Sequence, residues 1–427
     1  MSAGRQPGCG PRPSAAAAIV VVALFIVALG LRLDILSEKH TEGDEMLYAA
    51  LVQQLDEGRG YTLRGHPILD QEWVAREQYD RPLFHHPPGG IGLFWALQRW
   101  FGQHGLGLAQ LVSFSVFYWS MLGLGRLVLR EWTTAAAVAL AGLAAFTPIV
   151  AHVHTHFWLD GPQVAFSTAG AALYLLALSR RRLGWAALAG LMLAWACATK
   201  LNAVLALPAV VALGWSVAPD LPPRRTLASL AIVLGIVAAA LVPWMWAQLR
   251  VYDEVFPSWA GKPTADLIAA NTFIQFVTVA RGPWSYLRLL PQAAATLVPA
   301  LLALPWMWRE RRSRRIAAVL VTWIASILLI HVALGYVGYS KLLRYVILVT
   351  PATILLFALA VESAVARLGL ARSRRLVLAW LVLGGIGFAA EVSLGVTYIE
   401  VYSDRALIVL YPDIEMRRAM TPLSGPG

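Results

Sequence analysis

The chain of 427 residues is 58% hydrophobic and only 14% charged, where a soluble protein carries about a quarter charged residues, so a water-soluble globule is excluded. Its two cysteines, Cys9 and Cys197, are too few for a disulfide framework or a cysteine metal site, which removes thiol redox chemistry. The net charge of +11 asks for an acidic partner such as nucleic acid or for an orientation signal, and the distribution of arginines decides for the second.

In chain order, apolar blocks long enough to cross a ~30 Å hydrocarbon layer predict spans at Ala15–Leu36, Leu106–Leu129, Thr133–Val150, Pro162–Leu178, Leu183–Thr199 and Asn202–Ala218. Five more follow at Leu227–Ala247, Leu287–Trp308, Ile316–Leu334, Tyr345–Ala364 and Leu376–Thr397. The predicted fold is therefore an all-α polytopic membrane protein of about eleven transmembrane helices. With the N-terminus in the cytoplasm, one side of the membrane holds 18 of the 35 Lys and Arg residues against four of the 24 acidic ones, leaving 17 basic and 20 acidic residues for the rest. That asymmetry is the positive-inside pattern of an inner or plasma membrane protein, and it needs no nucleic acid to explain the high pI. No small-residue cleavage pattern follows the first span, so it is expected to remain as a signal anchor.

The long connections fall on the extracytoplasmic side. Residues 37–105 form a first loop, 250–286 a second, and 400–427 a tail, all within one integral membrane unit; long connections of this kind usually carry function. The first loop opens with Asp44 and Glu45 ahead of Leu51, Val52 and Leu55 at helical spacing, which predicts an interfacial amphipathic helix. The two carboxylates suit helix capping, and equally suit a positioned general base. Further along, His85 and His86 precede Pro87, Pro88, Gly89 and Gly90 and an apolar stretch, Ile91–Phe101, too short to span. Histidines at such a helix entrance are either solvated or hold a phosphate or a metal.

The short connections add the remaining candidates. In His152-Val153-His154-Thr155-His156, alternate side chains of an extended chain would share a face, so His154 and His156 are candidate ligands for a divalent metal ion, together with His85. Asp160 begins the next span beside them, and an ionisable residue at membrane depth is a functional candidate by default. Lys200 lies in a hairpin between two short spans, where it either snorkels or meets an anion. Lys341 and Arg344 stand before the tenth span, as interfacial anchors or as a phosphate clamp.

This constellation resembles the GT-C superfamily of membrane glycosyltransferases, of the protein mannosyltransferase and lipid A aminoarabinose transferase type and including the galacturonosyl-type branch. The resemblance lies in the acidic pair after the first span, the residue before two prolines, Asp160 after the third, the Thr199-Lys200 hairpin and the Arg344-Tyr345 pair. It implies transfer of a sugar from a polyprenyl-phosphate-linked donor to a glycan, lipid or protein acceptor on the extracytoplasmic side, by an inverting step with or without a metal. By matched position, Asp44 would be the principal catalytic carboxylate and Asp160 the second. His86 would contact the carrier phosphate, His85 would fall where relatives can have a metal-linked acid, and Lys200 and Arg344 would line the donor cavity. Leu47 stands where aminoarabinose transferases have an arginine, and His85-His86 replaces their Glu-Lys, which speaks against that particular sugar. The short region after the last span leaves acceptor recognition to the two long loops.

Elementary chemistry leads to the same place. A prenyl-linked donor arrives within the bilayer, so its phosphate must meet cations near the interface. The incoming hydroxyl needs a base, and the departing phosphate needs its charge stabilised. Membrane lipids are the only other partners expected. A lipid-linked-sugar carrier or flippase would use the same cations without the base, and a non-catalytic accessory subunit would need neither.

Overall fold

The computed structural model describes residues 15–38, 44–71, 74, 76–253, 282, 284–336, 342–367 and 374–403. Lys341, Cys9, most of the second long loop and the end of the tail lie outside the described residues. Among the described residues all regular structure is helical. Helix α1 (Ala15–Glu38) is followed by α2 (Asp44–Asp56), a one-turn α3 (Arg76–Tyr79), α4 (Gly89–Phe101), α5 (Gly105–Val128), α6 (Thr134–Phe146) and α7 (Pro148–Val153). Then come α8 (Asp160–Arg180), α9 (Leu183–Thr199), α10 (Leu207–Val217), α11 (Pro223–Tyr252), α12 (Ser285–Ala293), α13 (Leu297–Leu302), α14 (Leu304–Met307), α15 (Arg311–Tyr336), α16 (Thr350–Val365) and α17 (Arg374–Ser403).

Among the described residues, seven helical runs are long and apolar enough to cross a bilayer, and three shorter apolar helices lie at 134–146, 183–199 and 201–217. The protein is thus a multi-pass membrane protein. The 40-residue run Gly89–Val128 is divided where the chain turns at Gly102 and Gly105. Gly102 has φ 59°, and a Cβ on Gly105 would strike the backbone of Gln98, so α4 folds back as a separate short helix beside α5. It packs against α2 and α9 as well. The first loop has its own apolar core, in which Leu47, Tyr48, Leu51, Leu63, Phe84, Phe94 and Phe157 are buried together. The helices predicted for that loop are present as α2 and α4.

Four predicted spans are not continuous α-helices, and each carries a proline at or next to the interruption. Thr133–Val150 breaks at Thr147-Pro148 into α6 and α7, and the expected outer turn after it is buried, with His152 at 3% and His154 and His156 at 0% exposure. Leu287–Trp308 is cut into α12, α13 and α14 by Pro291, Pro299 and Pro305, each lacking an N–H and crowding the residue before it. The spans beginning at Asn202 and Tyr345 each open as a 3-10 segment, Leu201–Ala206 and Leu343–Val349. Pro208 and Pro351 stand at the second position of the α-helices that follow.

Glu391, an acidic residue inside an apolar block, lies deep in α17 at 1% exposure. Its carboxylate accepts from Thr147 Oγ1 at 2.9 Å, from the backbone N–H of Thr296 at 2.7 Å and from the Thr296 hydroxyl. One buried carboxylate thus ties the two proline-made breaks together, taking a side-chain hydroxyl at Thr147 and a backbone N–H at Thr296.

Candidate active site

Four segments far apart in sequence bring charges together. Asp44, the first residue of α2, pairs with Arg344 in the 3-10 segment before α16. Asp160, the first residue of α8, holds Lys200 Nζ at 2.7 Å from the end of α9. An acidic residue in the first turn of a helix is favoured by the unpaired N–H groups there, so both carboxylates are pre-placed by their own helices. Both cations stand where a 3-10 segment begins, and there the chain departs from ideal helix geometry and can aim a long side chain sideways. The ring of Tyr345 joins the pairs, 4.6 Å from Lys200 Nζ and 5.6 Å from the Arg344 guanidinium.

Close backbone approach explains the Pro-Pro-Gly-Gly motif. A Cβ on Gly89 would sit 2.7 Å from the backbone of Ala198, and one on Gly90 2.6 Å from the Thr199 methyl. Only glycines let the start of α4 nestle against the Thr199-Lys200 hairpin, which brings His86 to the cation pair. The preceding strand of loop has no secondary structure, so its carbonyls are taken by side chains. Tyr61 donates to His86 O and Pro87 O at 3.0 and 3.2 Å, Gln248 to Phe84 O at 3.0 Å, and Tyr252 to Leu83 O.

The environment sets protonation. Burial pushes the His85 imidazole down to about 4, against a smaller opposing pull from Asp44. Burial also carries His86 well below the usual histidine value, with His85, Lys200 and Arg344 adding to the effect. Both rings are neutral at pH 7, and their centroids lie 4.2 Å apart. Tyr48, one turn after Asp44, is raised well above the ordinary phenol value by burial first and by the Asp44 charge second. It keeps its proton and faces the same group of charges.

The structure does not bring every candidate here. Glu45 turns its carboxylate to the backbone N–H of Phe157 at 2.8 Å, fixing the segment that leads to Asp160. The premise of an extended histidine segment fails, because His152 and Val153 end α7 and the chain turns after them. As a result His152 and His156 face each other at 4.6 Å, whereas His154 packs on Phe114 and Phe117 and its Nδ1 is 2.9 Å from Val150 O. His85 is in a different group again. Among the described residues, no three His, Cys, Asp or Glu side chains are placed to hold a metal ion, so His85, His154 and His156 do not form one metal set.

Sequence reading missed several members. Trp158 receives the Arg344 guanidinium on its ring at 4.0 Å. Gln163, buried one turn after Asp160, donates to Asn202 Oδ1 and to Lys200 O, steadying the lysine hairpin. A signal existed for both: each lies within three residues of Asp160, on the segment that enters α8.

Comparison with known proteins follows the geometry. Residues 85–246 match the family model described as dolichyl-phosphate-mannose-protein mannosyltransferase. No curated protein matches the chain by sequence. Among solved structures, ArnT from Cupriavidus metallidurans bound to undecaprenyl phosphate matches with TM-score 0.57 at 18% identity, over 95% of this chain and 79% of that one. Its apo state gives TM-score 0.60 at 19% identity, over 94% and 78%. The archaeal oligosaccharyltransferase AglB from Archaeoglobus fulgidus, in complex with an inhibitory peptide and a dolichol-phosphate, matches with TM-score 0.58 at 11% identity, over 91% of this chain and 56% of that one. The chain therefore shares the fold of ArnT and AglB, and the family-model match over residues 85–246 agrees with the resemblance drawn from its motifs.

Proposed function

We propose that this protein is a glycosyltransferase that moves a sugar, hexose or pentose, from a polyprenyl-phosphate donor to a cell-envelope glycolipid, polysaccharide or protein on the extracytoplasmic face. The observation that carries the reading is the meeting of Asp44 with Arg344 and of Asp160 with Lys200 beside His86 and Tyr48. It pairs a base with phosphate-binding cations at one end of a membrane bundle. The solved relatives of the same fold hold undecaprenyl phosphate and dolichol-phosphate, which is the donor class the charges suit.

Exposure supports a division of roles. Asp44 keeps 38% of its side chain accessible and Asp160 only 2%. Asp44 is the base an acceptor hydroxyl can reach, and Asp160 holds Lys200. In the transfer, the acceptor O–H gives its proton to Asp44 as its oxygen bonds to the anomeric carbon. The bond from that carbon to the phosphate oxygen breaks on the opposite face, and its electron pair leaves on the phosphate. Arg344 and Lys200 stabilise that charge, and neutral His86 donates an N–H to a phosphate oxygen. Every step uses this chain's own side chains.

The sidedness has support from the opposite set of connections. Arg130 pairs with Glu310 at 3.3 Å, Glu362 accepts from Glu131 N at 2.6 Å, Arg312 donates to Val128 O and Arg367 to Trp306 O. The arginine-rich turns predicted for the cytoplasm thus touch one another, as the candidate site's segments do. The test is Asp44→Asn in reconstituted membranes with a polyprenyl-phosphate-sugar donor. We expect insertion and thermal stability to be kept and transfer to fall about 10²–10⁴-fold. Turnover near wild type would defeat the assignment, and donor movement across the bilayer without product would favour the carrier.

A further inference from the structure

Arg344 is anchored twice, and only one anchor is a carboxylate. Its guanidinium also lies 4.0 Å from the centroid of the Trp158 ring, within the range of a strong cation–π contact. Trp158 is itself held in a column. The His156 ring lies 3.9 Å from it at 18°, so the two are stacked, and His152 meets Trp158 edge-on at 4.7 Å. The main chain around it is pinned on both sides: Gln110 Nε2 donates to Trp158 O at 2.8 Å, and Phe157 N donates to Glu45. A Cβ on Gly161 would meet the Gln110 side chain at 2.5 Å, so that pin is tight.

We infer that Trp158 is a positioning residue, whose stacked ring fixes the plane of the Arg344 guanidinium and so aims its N–H edge at the phosphate of the lipid-linked donor. This rests on the glycosyltransferase reading. The physical reason is that Arg344 cannot rely on Asp44 alone. Once Asp44 takes up the acceptor's proton its charge is gone, and the ion pair weakens at the moment the departing phosphate needs the arginine. An aromatic face attracts the cation whatever the charge of Asp44, and it leaves the in-plane N–H donors free. His152 and His156 thereby gain a purpose other than metal binding: they back the tryptophan.

The experiment compares Trp158→Phe and Trp158→Leu, alone and combined with Arg344→Ala, in detergent micelles containing undecaprenyl phosphate. Affinity for that lipid is measured together with the Arg344 Nε–H resonance of arginine-labelled protein. We expect Trp158→Leu to weaken binding about 30-fold and Trp158→Phe to recover most of the loss, since a smaller π face keeps a weaker attraction. In the Arg344→Ala background, Trp158→Leu should cost no more than about threefold, because its target is already gone. The wild-type Arg344 Nε–H should carry a ring-current shift that Trp158→Leu abolishes. Equal losses with and without Arg344, or an unshifted resonance in the wild type, overturn the positioning role. If the wild type shows the shifted resonance but binds no undecaprenyl phosphate, the donor reading fails and the stacking stands.

Discussion

The two carboxylate–cation pairs at the candidate site are alike in chemistry and unlike in setting. Asp160 and Lys200 are sealed, with 2% and 10% of their side chains accessible, whereas Asp44 opens to its surroundings at 38% beside an Arg344 at 7%. A sealed pair cannot lose one partner without stranding the other charge in a poorly polarisable medium. Arg344 is no less buried than Lys200, but it also rests on the Trp158 ring and its carboxylate is half open, so Asp44 can be neutralised at smaller cost. The difference teaches which pair holds the architecture and which is free to take part in proton transfer.

The largest effect that would sharpen this contrast is on stability. Asp160→Asn should cost about 3–5 kcal/mol, read as a lowered unfolding temperature in detergent, by leaving Lys200 buried and unpaired. Adding Lys200→Met should restore most of it. Asp44→Asn should cost under ~1 kcal/mol, and an equal loss at both carboxylates would erase the distinction. Next, Gly89→Val forces side-chain atoms against the Ala198 backbone and should cost about 1–3 kcal/mol while separating α4 from the lysine hairpin. Donor affinity of that variant, measured at a temperature where it stays folded, should fall with it.

Acid provides a smaller and graded effect. Unfolded imidazoles titrate near 6.5, while those of His85, at about 4, and His86, well below 6.5, stay neutral in the folded protein. Below pH 6.5 the unfolded chain takes up protons that the folded one refuses. Their contribution to stability is therefore complete above that pH and is lost as pH falls through it, by up to roughly 1.4 kcal/mol per pH unit for each histidine. Unfolding temperature against pH should show this slope between 6.5 and 4, and His85→Gln with His86→Gln should flatten it. The smallest effect is expected at Glu391. Glu391→Gln keeps acceptors for Thr296 and should cost under ~1 kcal/mol, whereas Glu391→Leu strands the Thr296 N–H and should cost about 1–3 kcal/mol.

The contrast between Asp160 and Glu391 shows how such charges are settled in a membrane bundle. One is met by a cation and the other by two threonine hydroxyls and a backbone N–H. Neither partnership is visible in sequence. Proline positions were visible, and they would have corrected two of the spans had Pro148, Pro291 and Pro299 been weighed against hydropathy. Periodicity misled at His152–His156, where alternation was read as an extended face and burial instead wrapped the segment into a turn.

By itself the amino-acid order determined the membrane bundle, the uneven spread of arginines, the short helix after Pro87-Pro88 and the residues Asp44, Asp160, Lys200, Arg344 and His86. It could do so because hydropathy and helix-breaking are local properties, set by each side chain against lipid, water and its own backbone. Only the tertiary structure decided that Asp44 meets Arg344 across 300 positions, that Glu45 faces a backbone N–H, and that Trp158 lies under a guanidinium. Pairing across such separations depends on how helices broken by proline and packed through glycine are aimed, and direction in space is a property of the whole packed bundle.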